Sequence, residues 1–198
     1  MGKALAAWLM VASAVAIPAT GPRETVESAL TRVVSVFQDT ELRVGRRAEV
    51  RRIARQLFDF DEMTRRTLSR HWAARSHEEQ TEFVALFAEL LERSYMNRLE
   101  GYAGEKMTFV GEAVDGGYAT VKSKVLTQRR TETAVDYRLH IRDGRWRVYD
   151  VLIDGVSFVS TYRSQFDRII TAESYETLVS KLRQKNGDMA VAERARRL

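Results

Sequence analysis

Apolar residues recur along this chain in three rhythms. Residues 4–17, "ALAAWLMVASAVAI", form an apolar run without a single charge. Beyond it, as far as residue 99, apolar side chains return every third or fourth position, the period of a helix with one buried face. From residue 106 to 153 the rhythm becomes alternation, the pattern of a half-buried strand. In "VLIDGVSFVSTYRSQF", residues 151–166, alternation passes back into the helical period, and Gly155 marks the change.

The helical stretches separate readily. "ETVESALTRVVSVF" puts Val26, Leu30, Val33, Val34 and Phe37 on one face. "AEVRRIARQLF" predicts a second helix, on which Arg47, Arg51 and Arg55 follow one another at intervals of four as a basic stripe. A solvated face fits that stripe, and so does a docking contact with anionic headgroups or an acidic protein. "FDFDEMTRRTL" opens a third helix with Asp59 and Glu62 in an Asp-x-x-Glu start. "SHEEQTEFVALFAELLERSYMNRL" begins with Ser76 and Glu79, a capping box. It continues through Phe83, Leu86, Phe87, Leu90, Leu91, Tyr95 and Leu99 to a stop near Gly101 and Gly104. A helix over 158–170 carries Phe158, Val159, Tyr162, Phe166, Ile169 and Ile170 at helical spacing, and "SYETLVSKLRQK" predicts a last one.

Four strands are expected: "KMTFVGEAV", "YATVKSKVLT", "TAVDYRLHI" and "RWRVYDVLI". Asp115-Gly116-Gly117 is a turn of ambiguous register. Asp143-Gly144 is a two-residue hairpin signal that pairs Arg142 with Arg145. Counting outward, Ile141 meets Trp146, Leu139 meets Val148, Tyr137 meets Asp150 and Val135 meets Leu152, all projecting from one face. The other face then carries Asp136, Arg138, His140, Arg147, Tyr149, Val151 and Ile153. The expected fold is α+β, a curved four-stranded antiparallel sheet whose apolar face is covered by helices. Gly155 should turn the chain sharply so that the next helix folds back toward the sheet.

Composition adds context. The chain has 198 residues, enough for one domain, with 44% hydrophobic and 30% charged residues. Its net charge is +5 and its pI about 9.6, a balance that admits nucleic acid, acidic membranes or acidic proteins. The apolar run after Lys3 changes that picture. It has the length of a signal-peptide core and falls short of the ~20 residues of a membrane span. Residues 1–19 therefore read as a signal peptide, with cleavage after Ala16 or Ala19, or as an N-terminal anchor. Export makes nucleic acid a poor partner. Without cysteine, an exported domain draws its stability from its core rather than from disulfides. Residues 23–185 read as a single domain, helical over 23–104, a sheet over 105–154 and helical over 157–185, with 186–198 as a polar tail.

Catalytic signatures are sparse. His71, His77 and His140 show no paired metal spacing, and neither a Gly-rich phosphate loop nor a serine-nucleophile elbow is present. The sharpest enzyme reading places Asp150 opposite Tyr137 in an apolar pocket, where burial would raise the acid's pKa and make it a base. The structural alternative is a Tyr–Asp hydrogen bond closing the core, or an aspartate that satisfies backbone amides near the strand end.

The order of "FDFDEMTRRTL", "HW" with "EEQTEFVALFAELLERSY", and "VYDVLIDGVSFVSTYRSQFDRII" resembles the MlaC family, also called the toluene-tolerance Ttg family, over roughly residues 25–185. The resemblance implies an NTF2-like sheet decorated with helices and enclosing an apolar cavity. It implies a periplasmic phospholipid carrier that maintains outer-membrane lipid asymmetry, with phospholipid as cargo and no cofactor, metal or catalytic residue. The implied partners are an MlaD-type MCE subunit of an inner-membrane ABC transporter, an outer-membrane MlaA–porin complex and, transiently, a membrane surface. Apolar residues of the elements above are the expected cavity lining. These are Phe60, Met63, Phe87, Leu90, Leu91 and Tyr95 from the early helices. Val121, Val125, Tyr137, Leu139, Trp146, Val148 and Leu152 come from the sheet, and Val159, Tyr162 and Phe166 from the following helix. A non-lipid adaptor with a solid core is the remaining alternative.

Overall fold

The computed structural model describes residues 18–39, 45–102, 105–126 and 131–195. The leader expected over 1–19 falls outside these residues except at its last two positions. Among these described residues, six α-helices flank an antiparallel meander: α1 Pro22–Gln38, α2 Arg46–Leu57, α3 Phe60–Leu68, α4 His77–Tyr102, α5 Phe158–Ala172 and α6 Tyr175–Ala195. The strands are β1 Lys106–Asp115, β2 Tyr118–Leu126, β3 Glu132–Arg142, β4 Arg145–Ile153 and β5 Val156–Ser157, hydrogen-bonded in that order.

Helix starts follow from the side chains at hand. Pro22 occupies the first turn of α1, where its missing N–H costs nothing. Oδ1 of Asp59 accepts the amide of Glu62 at the start of α3. The Ser76–Glu79 capping box closes in both directions, Glu79 N to Ser76 Oγ at 3.2 Å and Ser76 N to Glu79 Oε2 at 2.7 Å.

The sheet has five strands rather than four. Asp154 and Gly155 both have positive φ, +48° and +82°, the requirement of a two-residue hairpin turn of type I′. Gly155 therefore turns the chain into a short fifth strand, Ile153 facing Val156, before α5 begins.

The β3–β4 register agrees with counting from Asp143-Gly144 as far as Leu139 opposite Val148. There a β-bulge intervenes, and Arg138, not Tyr137, lies opposite Asp150. Tyr149 is the extra residue. Tyr137 pairs with Val151 and Val135 with Ile153, so both expected pairs beyond the bulge are corrected. A single inserted residue turns every later side chain of β4 to the other face. Val151 and Ile153 accordingly join the apolar face, while Asp150 and Leu152 leave it.

Two apolar clusters form the interior. In the first, α1 and α2 cover the sheet face. Val26, Val50, Ile53 and Leu57 pack with Val121, Tyr137, Leu139, Trp146, Val148 and Val151, and Met96 of α4 joins them. On α1, Val36 is fully in this cluster, whereas Val34, expected on the buried face, is only half-buried. In the second cluster α3–α6 pack on one another around Phe83, Phe87, Leu90 and Phe166. The rings of Phe83 and Phe87 meet that of Phe166 edge-on at 5.5 Å. Each fully buried side chain of this size contributes roughly 1.5–3 kcal/mol. Residues 186–195, expected within a polar tail, continue α6, and buried Asn186 donates to the carbonyl of Leu86 on α4.

Candidate functional site

The two clusters meet along a seam beside β4. The chain crosses there at Phe58, which bridges to Val148 and packs against both clusters. Tyr95 of the helical cluster stacks on Phe158 of the sheet-side cluster with ring centroids 4.7 Å apart. Burial, aided by the Tyr95 hydroxyl, pushes the Tyr162 phenol up from its ordinary pKa. Burial does the same to Tyr137, and the Ser123 hydroxyl offsets it only in part. Both phenols therefore stay neutral.

The residues expected to line a cavity fall on both sides of this seam. Val121, Tyr137, Leu139, Trp146 and Val148 lie in the sheet-side cluster. Phe60, Met63, Phe87, Leu90, Leu91, Tyr95, Val159, Tyr162 and Phe166 lie in the helical one. Two lie in neither: Val125 is buried opposite Met107, and half-buried Leu152 faces away beyond the bulge. Phe58, Val151 and Ile153 also pack here and were not among the residues expected. The Phe-Asp-Phe alternation at 58–60 was the available signal for Phe58, and the shift of apolar phase after Val148 was the signal for the other two.

Asp150 has a structural task. Its Oδ1 accepts the amide of Val159 at 3.1 Å, and its Oδ2 accepts the Ser157 hydroxyl at 2.7 Å. Nη1 of Arg138 lies 3.4 Å away. The carboxylate thus ties the bulged strand to the first turn of α5, whose orphan amides favour an anion. The pairing with Tyr137 on which the enzyme reading rested does not form.

A second buried aspartate is Asp59, 1% exposed, which the sequence marked only as the start of α3. Besides capping α3, its oxygens lie 2.9 Å from Nε2 of His140 and 2.5 Å from Nη1 of Arg142. Burial pushes its pKa up, but hydrogen bonds from His140, Arg142 and the Glu62 amide outweigh that and hold it well below the usual carboxylate range. Two clefts of about 260 and 250 Å³ flank this pair, and charged residues, Asp61 and Arg142 among them, predominate in both. No group of three metal-ligating side chains occurs among the described residues, and none of their helices is long and apolar enough to cross a membrane.

The basic stripe of α2 meets acids on neighbouring helices. Arg47 lies 3.7 Å from Glu193 of α6, and Arg51 and Arg55 lie 3.5 and 3.2 Å from Glu92 of α4.

Comparison with known proteins adds to this geometry. The family described as "MlaC protein" matches residues 27–184. The chain belongs to the MlaC family. It is similar to the intermembrane phospholipid transport system binding protein MlaC of Haemophilus influenzae, with 22% identity over 190 residues, 91% of this chain and 88% of that one. Its fold matches a solved structure of the phospholipid-binding protein from Ralstonia solanacearum in complex with a phospholipid. The TM-score is 0.76 and the identity 26%, over 86% of this chain and 99% of that one.

Proposed function

We propose that this MlaC-family protein is a periplasmic phospholipid carrier that holds acyl tails along the seam between its two apolar clusters. The likeness to a phospholipid-bound structure, over 99% of that chain, carries the reading. The Haemophilus relative's role in intermembrane phospholipid transport and the signal-like leader support it. The physical need is plain. Each buried methylene is worth about 0.8 kcal/mol, so two tails resist water by tens of kcal/mol. A courier replaces the bilayer with a dry lining, and the aromatic and aliphatic walls on either side of Phe58 and Phe158 supply one. On this reading the headgroup faces outward. The protein collects and delivers lipid at an MlaD-type subunit of an inner-membrane ABC transporter and at an outer-membrane MlaA–porin complex.

Native mass spectrometry with lipid extraction tests the cargo. Purified protein should carry diacyl phospholipids of mixed headgroup, and delipidated protein should take them up from vesicles. Failure of both would overturn the carrier reading and favour an adaptor with a solid core.

A further inference from the structure

Arg51 and Arg55 stand one turn apart on α2 and share a single acid. Glu92 touches each through its Nε, Arg51 at 3.5 Å and Arg55 at 3.2 Å. A guanidinium has five N–H donors, four of them on its terminal nitrogens. Among the described residues, no hydrogen-bond acceptor meets the terminal nitrogens of either arginine. Among the described residues, two cations against one carboxylate leave one positive charge uncompensated. The other described acids nearby are engaged. Glu49 holds Arg52, Glu193 is shared by Arg47 and Arg93, and Glu89 also holds Arg93.

The position of this pair matters as much as its charge. On α4, Leu91 and Tyr95 belong to the helical cluster, while Met96 and Leu99 pack into the sheet-side cluster. Glu92 sits among them, and its side chain is 8% exposed. On α2, Val50, Ile53 and Leu57 enter the sheet-side cluster. The side chain of Arg55 is 67% exposed and that of Arg51 34%, so their free ends remain within reach of a solvent-facing group. The charge deficit therefore stands at the rim of the seam, where the polar end of a tail-bound lipid would emerge.

We propose that Arg51 and Arg55 form a subsite for the phosphate diester of the bound lipid. The diester carries one negative charge, which matches the deficit. Two guanidinium forks suit its paired oxygens better than two ammonium groups would. Glu92 is the internal anion it competes with. This assignment rests on the carrier reading and adds to it a selection for phosphate over tails alone.

The experiment offers delipidated protein vesicles of dioleoylphosphatidylglycerol doped with dioleoylglycerol, which has the same tails and no phosphate. Bound lipid is extracted and its ratio compared with the donor's. The parent should enrich the phospholipid. Arg51→Gln with Arg55→Gln should lower that enrichment about tenfold, the worth of one charge-assisted hydrogen bond. Glu92→Gln should raise it. Thermal unfolding confirms that the variants fold. An unchanged ratio in the double variant overturns the subsite, even if transfer from anionic vesicles slows in a salt-dependent way. That pattern would assign the stripe to docking at a membrane surface. A parent that loads both lipids equally overturns the subsite and leaves the carrier reading standing. A parent that loads neither overturns both.

Discussion

Asp59→Asn isolates the charge of the buried aspartate, because an amide oxygen can still cap α3. What the variant loses is the carboxylate between His140 and Arg142, in a position 1% exposed. Charge-assisted hydrogen bonds contribute about 1.5–3 kcal/mol each, and breaking a buried pair costs about 3–5 kcal/mol. Arg142 softens the loss, since its side chain is 42% exposed and it keeps Asp61 at 3.1 Å. The expected cost near neutral pH is about 2–3 kcal/mol, or about 5–10 °C in Tm for a chain of this size.

The pH dependence gives the sharper test. Folding lowers the pKa of Asp59, so the unfolded chain binds its proton more readily. The stability it supplies is full above the unfolded carboxyl pKa, ~3.9, and is lost as pH falls through that value toward the folded one. Asparagine has no such proton. Denaturant unfolding of parent and variant should give a gap that is widest near neutrality and narrows below about pH 4. A gap under about 0.5 kcal/mol near neutrality would refute the buried-pair argument, since that is the scale of an ordinary surface substitution. A gap of constant size into acid would refute the assignment of the charge.

Two further predictions address the seam and the bulge. Leu139 is fully buried on the sheet-side wall, so Leu139→Trp should cost about 1–3 kcal/mol and lower phospholipid occupancy in lipid extraction; a folded variant with full occupancy would remove that wall from the site. Asp150→Asn should cost about 1–2 kcal/mol and retain lipid, whereas Asp150→Ala should cost more by leaving the Val159 amide unpaired; equal Tm values for the two variants would contradict the capping role.

Much of the fold was legible because its signals are local. The capping box at Ser76, the Asp59 cap and the Asp143-Gly144 turn each depend on residues within four positions of one another, and all three form. The misses have mixed causes. The bulge at Tyr149 does leave a trace in "RWRVYDVLI", since the apolar phase of Trp146 and Val148 breaks at Asp150 and resumes one position later at Val151 and Ile153. β5 is two residues long with Val156 61% exposed, too short to carry a period. The end of α6 is polar on most sides, and its anchors are distant in sequence: Leu86 for Asn186, and Arg47 and Arg93 for Glu193. The arginine stripe of α2 was visible as a spacing, but its partners on α4 and α6 were not.

The bulge links these gaps to the candidate site. With strict pairing, Asp150 would lie on the apolar face beside Tyr137, and a buried carboxylate would interrupt the wall. The extra residue moves Asp150 to the start of α5, where the Val159 amide and the Ser157 hydroxyl meet it. In its place Val151 and Ile153 complete the apolar face. One inserted residue thus keeps charge off the wall and fixes the helix that carries Phe158, Val159 and Tyr162 to the seam. Deleting Tyr149 would remove the bulge and leave Arg138 opposite Asp150 in an unbroken ladder, with Val151 and Ile153 still on the apolar face.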